Sequence, residues 1–306
     1  MGRPRKGQPV HGWVNLDKPP GMSSAQAVAR VRRIFDAAKA GHAGTLDPLA
    51  SGILPVALGE ATKAVPYLMA HDKVYRFTVR WGIATETDDA EGRVIATSGV
   101  RPSGADIAEV ARRFVGCIEQ TPPAYSSLKI AGRRAYQLAR EGAPVALAPR
   151  RVTVARLDPV VRPDNDHATF EAVVGTGTYV RALARDLAHA LDTVAHVTAL
   201  RRVAVGRFRT DRAISLETLE VLGHTRAVSE HLLSVETALD DIPALAVTAA
   251  EAASLRHGQL VTRADQAFCR GVGEGATVRA VNGGRLVAFA QIRDGRLRPI
   301  RVLNLD

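Results

Sequence analysis

The stretch GHAGTLDPLASGILPVALGEATK, residues 41–63, holds the residues on which the interpretation of this chain depends. Glycine, proline and small residues interrupt it too often for one long helix. His42 and Asp47 are its side chains of chemical interest, and Asp47 stands directly before Pro48. The stretch therefore predicts a compact loop that presents the Asp47 carboxylate.

Two interpretations of Asp47 follow from these residues alone. An Asp before Pro is typical of a helix start, with Asp47 as the N-cap, Pro48 at the first position and an amide near Ala50 donating to the carboxylate. Alternatively, Pro48 holds Asp47 extended, and the carboxylate projects into a cleft as a nucleophile or base beside a cation. Both can be true of one residue, so the spacing leaves them open.

The composition indicates a basic, globular protein of moderate size. The chain has 306 residues, and 41 Lys and Arg against 31 Asp and Glu leave a net charge of +10. Such an excess favours a polyanionic partner, of which nucleic acid is the usual one. The N-terminal segment lacks the apolar core of a signal peptide, and no window of about 18 apolar residues occurs. We therefore expect a cytoplasmic protein that does not cross a membrane.

The sequence also argues against metal and cofactor chemistry. Cys117 and Cys269 are far apart and form no zinc-binding pair, so we expect two buried free thiols. The phosphate-binding P-loop, the dinucleotide fingerprint and the H-E-x-x-H motif are absent. The acidic run at Asp88 and Asp89 fails as a calcium loop because Glu is missing from its twelfth position. No cofactor is expected.

Alternation and capping signals place the main elements before residue 240. Residues 13–17 predict a short strand, and Ser23 or Ser24 caps the helix that follows. Residues 73–81, KVYRFTVRW, alternate between apolar and polar side chains and predict a half-buried strand. Residues 168–191 predict a strand, a glycine-rich turn and an amphipathic helix.

A change near residues 240–245 predicts a domain boundary. Three strands are expected beyond it, at roughly 276–281, 285–292 and 296–303. Asn282-Gly283 and Asp294-Gly295 are typical hairpin turns between these strands. The expected organisation is a flexible basic arm at 1–10, a main domain at 11–242 and a small β-rich domain at 243–306.

The stretch 41–63 resembles the signature of the TruB family of tRNA pseudouridine synthases, G-x-L-D-P-x-A-x-G, which here runs from Gly44 to Gly52. Five other segments resemble segments of that family in the same order: GWVNLDKPPGMSSAQAVARVRRIF (12–35), KVYRFTVRWGIATETDDAEG (73–92), TPPAYSSLKIAGRRAYQLAR (121–140), GTGTYVRALARDLA (175–188) and ALRRVAVGRF (199–208). The likeness is specific and covers about residues 13–210. The tail resembles, less distinctively, the PUA-type RNA-binding domain of bacterial members.

The resemblance implies an α+β fold with a mixed, largely antiparallel central sheet, peripheral helices and the PUA-like C-terminal domain. The reaction it implies is isomerisation of uridine 55 in the T-arm of tRNA to pseudouridine, without a metal or other cofactor. The implied partner is tRNA alone, and we expect a monomer. The target base is stacked in folded RNA, so it has to be flipped out before a protein carboxylate reaches it.

By the same resemblance, Asp47 is the nucleophile. Attack on the sugar C1′, attack on the base C6 and a glycal route all remain open. Arg181 matches the arginine that pairs with the catalytic Asp, and its planar fork would fix the carboxylate's orientation as well as its charge. Tyr75 matches the active-site tyrosine and is the candidate stacking platform for the base. Tyr179 is a second aromatic candidate.

His42 matches a histidine that enters the space left by the displaced base, and Lys18 and Leu200 match positions that line the pocket. Each also has a structural interpretation, as a hydrogen-bonded or packed residue. A group of arginines is proposed to contact phosphates: Arg30, Arg32, Arg33, Arg133, Arg134, Arg201 and Arg202.

Two other function classes stay open at this point. One is an RNA-binding or tRNA-refolding protein without chemistry, which would bind the T-arm and leave its uridine unmodified. The other is a phosphate-ester hydrolase that uses Asp88 and Asp89, although the missing metal-ligand spacing argues against it.

Overall fold

The computed structural model describes residues 7–223, 225–262 and 271–305. Its strands are β1 (Gly12–Lys18), β2 (Ala40–His42), β3 (Ser51–Leu58), β4 (Lys73–Trp81), β5 (Ile83–Thr85), β6 (Val94–Thr97), β7 (Gly116–Gln120), β8 (Lys129–Ile130), β9 (Arg133–Arg134), β10 (Arg150–Val161), β11 (His167–Val174), β12 (Ala195–Val205), β13 (Phe208–Arg209), β14 (Ile214–Ser215), β15 (Ala244–Ala246), β16 (Val261–Thr262), β17 (Thr277–Asn282), β18 (Arg285–Arg293) and β19 (Arg296–Val302).

The helices lie mainly around the first of two large sheets. The α-helices are α1 (Ser24–Ile34), α2 (Val65–Ala70), α3 (Gly104–Arg113), α4 (Ala135–Arg140), α5 (Val180–His189), α6 (Leu216–Leu222) and α7 (Ala249–Arg256). Short 3₁₀ segments occupy Gly59–Lys63, Thr210–Arg212, Arg226–His231 and Val235–Ala238.

The first sheet has ten strands and forms the centre of the molecule. Its main order is β14-β1-β3-β12-β4-β11-β10-β7, with β2 added beside β3 and β13 beside β12. The β1–β14 and β3–β12 pairs are parallel and the other neighbours are antiparallel. The expected mixed, largely antiparallel sheet with peripheral helices is confirmed.

Burial follows the patterns that predicted these elements. On β4, Phe77, Val79 and Trp81 are buried, whereas Thr78 and Arg80 between them are partly exposed, which is the alternation of a half-buried strand. At the start of α1, the hydroxyl of Ser23 accepts from the amide of Gln26, and the Gln26 side chain accepts from the Ser23 amide, so the two form a capping box.

The second sheet has five strands in the order β15-β17-β18-β19-β16 and lies in the C-terminal quarter of the chain. Asp294 and Gly295 both have positive φ between β18 and β19, as a two-residue hairpin turn requires. The earlier turn lies one residue later than predicted, at Gly283-Gly284. A β-rich C-terminal unit is thus confirmed, whereas its assignment as PUA-like stays a prediction.

The C-terminal sheet packs on the segment that follows β3. The ring of Phe289 on β18 lies 4.4 Å from that of Tyr67 on α2. The Lys63 ammonium donates to the Val302 carbonyl at 2.7 Å, and the Asn304 amide donates to the Glu60 carboxylate at 2.8 Å. These contacts connect the second sheet to the segment between β3 and β4.

Two expectations need correction or lie beyond the described residues. Cys117 is a free thiol but is exposed on β7, because this strand is at the edge of the sheet; the prediction of burial was wrong. Cys269 and residues 1–6 of the basic arm lie outside the described residues. Within the described residues, no helix is long and apolar enough to cross a bilayer.

Candidate active site

Asp47 lies in the connection between β2 and β3, and no helix begins there. The amide of Ala50 donates to the backbone carbonyl of Asp47, at 3.0 Å, so the loop closes as a single turn. The helix-start interpretation of Asp47 is therefore wrong. The side chain is 35% exposed and faces Arg181.

Hydrogen bonds from the first turn of α1 and the turn before it hold one side of the Asp47 loop. The Ser24 hydroxyl donates to the Leu46 carbonyl at 3.0 Å and accepts from the Leu46 amide at 2.8 Å. The Gly21 amide donates to the Pro48 carbonyl at 2.9 Å. The residues on both sides of Asp47 are thus held by the turn and helix that follow β1.

Arg202 on β12 fastens the loop from the other side. It is 1% exposed and donates to the carbonyls of Ile53, at 2.7 Å, and Gly44, at 3.0 Å. Gly52 has φ +99°, and a Cβ there would overlap the Arg202 backbone. Only glycine meets both conditions, which explains the last position of the G-x-L-D-P-x-A-x-G pattern.

Arg181, in the first turn of α5, is the centre of the site. Its Nε donates to the Asp47 carboxylate at 2.9 Å, and its two terminal nitrogens donate to the carbonyls of Thr87, at 2.6 Å, and Tyr125, at 2.9 Å. One of those nitrogens also lies 3.5 Å from the buried carboxylate of Asp89. With Arg181 only 4% exposed, this fork holds the guanidinium in one orientation against Asp47.

The acidic run supports the arginines of α5 and does not form a metal site. Asp88 forms an ion pair with Arg185 at 2.9 Å, and burial raises the pKa of Asp88 although Arg185 opposes the rise. Asp89 accepts from the Thr87 hydroxyl and the Glu91 amide. No cluster of three His, Cys, Asp or Glu side chains that could hold a metal occurs among the described residues. The two aspartates of the hydrolase interpretation, Asp88 and Asp89, are instead paired with the arginines of α5.

Two cavities meet at the Asp47–Arg181 pair. The larger, about 930 Å³, is an open cleft that includes His42, Tyr125 and Arg134 in its lining. The smaller, about 300 Å³, extends under the 175–179 turn. Asp47 and Arg181 line both, so the carboxylate lies where a wide groove opens into a compartment of nucleoside size.

The small compartment contains the aromatic candidates. Tyr75 on β4, Tyr179 before α5 and Leu200 on β12 all line it. The Tyr75 hydroxyl lies 3.4 Å from an Arg202 nitrogen, and Leu200 is opposite Phe77 in the β12–β4 register. Burial raises the pKa of the Tyr179 phenol above its ordinary value.

Lys18 and His42 lie at the margins of the pair. Lys18 is fully buried and donates to the carbonyls of Pro19 and Met22, both at 2.8 Å, and burial lowers its pKa to about 8. Lys18 is therefore beneath the loop and is absent from the lining of both cavities. His42 lines the large cleft, and its Nδ1 is buried without a partner among the described residues; burial lowers its pKa.

Several positioning residues were not predicted from the sequence. Gln120 holds the backbone of Tyr179, accepting from its amide at 2.8 Å and donating to its carbonyl at 3.2 Å. No local pattern indicates that role. The prediction that Arg202 contacts a phosphate was wrong, because this side chain is buried. Strand alternation places Arg202 on the same face as buried Leu200 and could have shown this. Arg201 is partly exposed and pairs with Asp17 at 2.6 Å.

Comparisons with known proteins agree with this geometry. The model of the TruB family pseudouridylate synthase N-terminal domain matches residues 32–180, and that of the tRNA pseudouridylate synthase B C-terminal domain matches residues 181–240. The chain belongs to the TruB family. Membership identifies it as an enzyme of the pseudouridylate synthase class.

Full-length relatives support the same membership. The chain is 55% identical to "tRNA pseudouridine synthase B" of Bradyrhizobium diazoefficiens, with 97% of this chain and 86% of the relative covered. It is 51% identical to the protein of that name from Rhodospirillum rubrum, with both chains covered completely. Among solved structures, a Cbf5-Nop10-Gar1 complex contains a chain with TM-score 0.71 and 25% identity, covering 96% of this chain and 84% of its own.

Proposed function

We propose that this TruB family member isomerises uridine 55 in the T-arm of tRNA to pseudouridine, with Asp47 as the nucleophile. The observation that supports the proposal is the Arg181–Asp47 bond at the junction of the two cavities. A partly exposed carboxylate, oriented by a buried guanidinium, is suited to attack a group that enters the small compartment. The names of the relatives indicate tRNA as the substrate.

The role proposed for each cavity follows from its size and lining. The groove has room for a segment of RNA, and the small compartment receives one flipped nucleoside. In that compartment Tyr75 and Tyr179 offer aromatic surface, and stacking returns about 1–3 kcal/mol per base against the unstacking cost. His42 lines the groove, and its proposed role is to occupy the position that the base leaves.

The chemical step exchanges one glycosidic bond for another. The C1′–N1 bond breaks, the base turns, and a C1′–C5 bond forms; the proton on C5 is lost and N1 gains one. Asp47 attacks C1′ or C6, or drives glycal formation, and its contact with Arg181 orients the carboxylate in each case. The Tyr75 hydroxyl, which lies next to Arg202, is the candidate to assist proton removal at C5.

The domain assignment is part of the proposal. Residues 11–242 form the catalytic domain and residues 243–306 a PUA-like RNA-binding domain, with the arm at 1–10 unassigned. The first sheet and its cleft fall within the former range, and the second sheet falls within the latter. We further propose that the chain works as a monomer on tRNA.

The test compares wild type with Asp47→Asn and Asp47→Ala on T-arm RNA that carries 5-tritiated uridine. Wild type should release tritium and leave pseudouridine at position 55, whereas both variants should fold and bind RNA yet react at least about 10³-fold more slowly. Asp211→Asn, a change at an exposed aspartate far along the chain, is the matched control. Full tritium release by Asp47→Ala eliminates Asp47 as the nucleophile. Binding without modification by wild type would support a refolding protein instead.

A further inference from the structure

Lys73 is a buried cation in the wall of the small compartment, which Met69 and Thr176 also line, and the proposed function gives it no task. It is the first residue of β4 and is 8% exposed. In the sheet it is opposite Val174 of β11 and Val205 of β12. The chain leaves β11 directly after Val174 and enters the 175–179 turn, so Lys73 lies at the base of that turn.

The Lys73 ammonium makes three hydrogen bonds to neutral acceptors. It donates to the carbonyls of Met69 and His71, the latter at 2.6 Å, at the C-terminal end of α2. It also donates to the Thr176 hydroxyl at 3.1 Å. That hydroxyl in turn donates to the Met69 carbonyl at 2.7 Å. Lys73, Thr176 and Met69 therefore form a closed triangle that joins the turn to α2.

The turn is the segment that carries two site residues into place. Tyr179 ends it and Arg181 follows in the first turn of α5. Gln120 holds the far end of the turn through the Tyr179 backbone, and the triangle holds the near end. Gly177, between them, has φ +89°, so the backbone between the two attachments adopts a conformation that favours glycine.

Helix capping by itself does not explain this arrangement. A Lys near a helix end can satisfy the last carbonyls from the surface, with its charge in water. Here the charge is buried at a cost, and burial lowers the pKa of Lys73 to about 8. The bond to Thr176 has no part in capping, since it reaches the 175–179 turn. The geometry is that of a brace between α2 and the wall of the compartment.

We propose that Lys73 is a positioning residue for the reaction: through Thr176, its ammonium group fixes the turn that places Tyr179 and Arg181 relative to Asp47. This inference rests on the proposed function, because it needs a reaction whose rate reports the placement. A small misplacement of a reacting group costs rate more than it costs binding. The rate should therefore respond to the brace while RNA affinity should not.

The experiment uses the full chain and measures three quantities for each variant. They are the single-turnover rate of pseudouridine formation with saturating enzyme, the Kd for T-arm RNA, and the Tm. Lys73→Met keeps the length of the side chain and removes its donors; its rate should fall about tenfold or more with Kd within about twofold. Thr176→Val, at an exposed position, should lower the rate by roughly fivefold.

Two comparisons separate a brace from a merely structural contact. Thr176→Ser keeps the hydroxyl and should retain at least about half of the wild-type rate, and Thr262→Val on β16 should leave it unchanged. The double variant Lys73→Met/Thr176→Val should react no more than about twofold more slowly than Lys73→Met, because both changes break one triangle. If Lys73→Met does not fold, the difference in rate between Thr176→Val and Thr176→Ser decides whether the inference holds.

Three results overturn the inference. They are a wild-type rate in Thr176→Val, an equal loss of rate in Thr176→Ser, and a loss of rate fully matched by a loss of RNA affinity. Failure of the proposed function is recognised separately, since wild type would then leave the uridine unmodified. An active wild type with an unaffected Thr176→Val overturns the brace alone.

Discussion

Arginine occurs in two opposite environments in this protein: it is buried beside Asp47 and exposed on the C-terminal sheet. Arg181 and Arg202 are 4% and 1% exposed, and each donates to two backbone carbonyls, those of Thr87 and Tyr125 for Arg181 and those of Ile53 and Gly44 for Arg202. Arg296 and Arg298 on β19 are exposed, and neither forms an ion pair with another described residue. The first pair fixes geometry, whereas the second presents charge to solvent.

The difference shows what burial changes in a basic protein. A buried guanidinium has to be satisfied by specific acceptors, so its position is defined to within a hydrogen bond. An exposed one is screened by salt and is free to meet a phosphate. The net charge of +10 does not distinguish these uses. Substitutions that keep the charge should therefore be harmful near Asp47 and harmless on β19.

Among substitutions of arginine, the largest effect is expected from Arg181→Lys. Lysine keeps the charge but cannot reproduce the bonds from Arg181 to Asp47, Thr87 and Tyr125. Loss of charge-assisted bonds of this kind costs about 3 kcal/mol, so the single-turnover rate should fall about 10²-fold. Rapid-mixing measurements on T-arm RNA, with saturating enzyme, provide the test.

Arg185→Lys is the matched control for that change. Arg185 lies one turn further along α5 and pairs with Asp88 at 2.9 Å, away from Asp47. Its rate should stay within about fivefold of wild type. Equal losses in the two variants would mean that α5 as a whole, and not the Arg181 fork, determines the rate.

A second, smaller effect concerns stability and comes from Lys18. Its pKa is lowered from 10.5 to about 8 in the folded state, so above pH 8 the unfolded chain binds more protons at this position. Lys18 should therefore raise the free energy of unfolding by about 2 kcal/mol between pH 8 and pH 10. Below pH 8 both states bind the proton and the contribution stays constant.

Denaturant titrations of wild type and Lys18→Met at pH 8, 9 and 10 measure this contribution. Lys18→Met should be less stable at every pH, since three carbonyls around the ammonium lose a donor. Its stability should also rise less steeply with pH than that of wild type. Parallel curves for the two proteins would show that burial of Lys18 does not shift its protonation.

Local patterns were sufficient for most of the fold. Alternation in β4 predicts which side chains are buried, and the capping signal at Ser23 predicts how the first amides of α1 are hydrogen-bonded. Both depend only on residues that are close in the sequence. Cys117 was mispredicted because its exposure depends on β7 being the edge strand. The order of strands is set by contacts between distant segments, which periodicity does not contain.

The site shows the same limit more sharply. Resemblance identified Asp47 and Arg181, and the structure brings their side chains to 2.9 Å across 134 positions of sequence. It did not identify Gln120, which holds the backbone of Tyr179, or Lys73, which donates to the Thr176 hydroxyl, because each reaches the 175–179 turn from a different strand. Residues that hold a site in place have no motif of their own; they are recognised by their hydrogen-bond partners.

The smallest effect is expected on the C-terminal sheet and tests the exposed half of the comparison. Arg298→Ala should weaken tRNA binding about two- to fivefold at low salt and reduce the salt slope of log Kd by about 1, as removal of one phosphate contact does. The single-turnover rate at saturation should not change. Arg298→Lys is the control: it keeps the charge and should keep the affinity.

Because Arg181→Lys should lose activity whereas Arg298→Lys should keep its affinity, the two lysine variants together separate the effect of orientation from that of charge. An affinity that is independent of salt in wild type, or a loss of affinity in Arg298→Lys as large as in Arg298→Ala, would mean that β19 does not act through exposed charge.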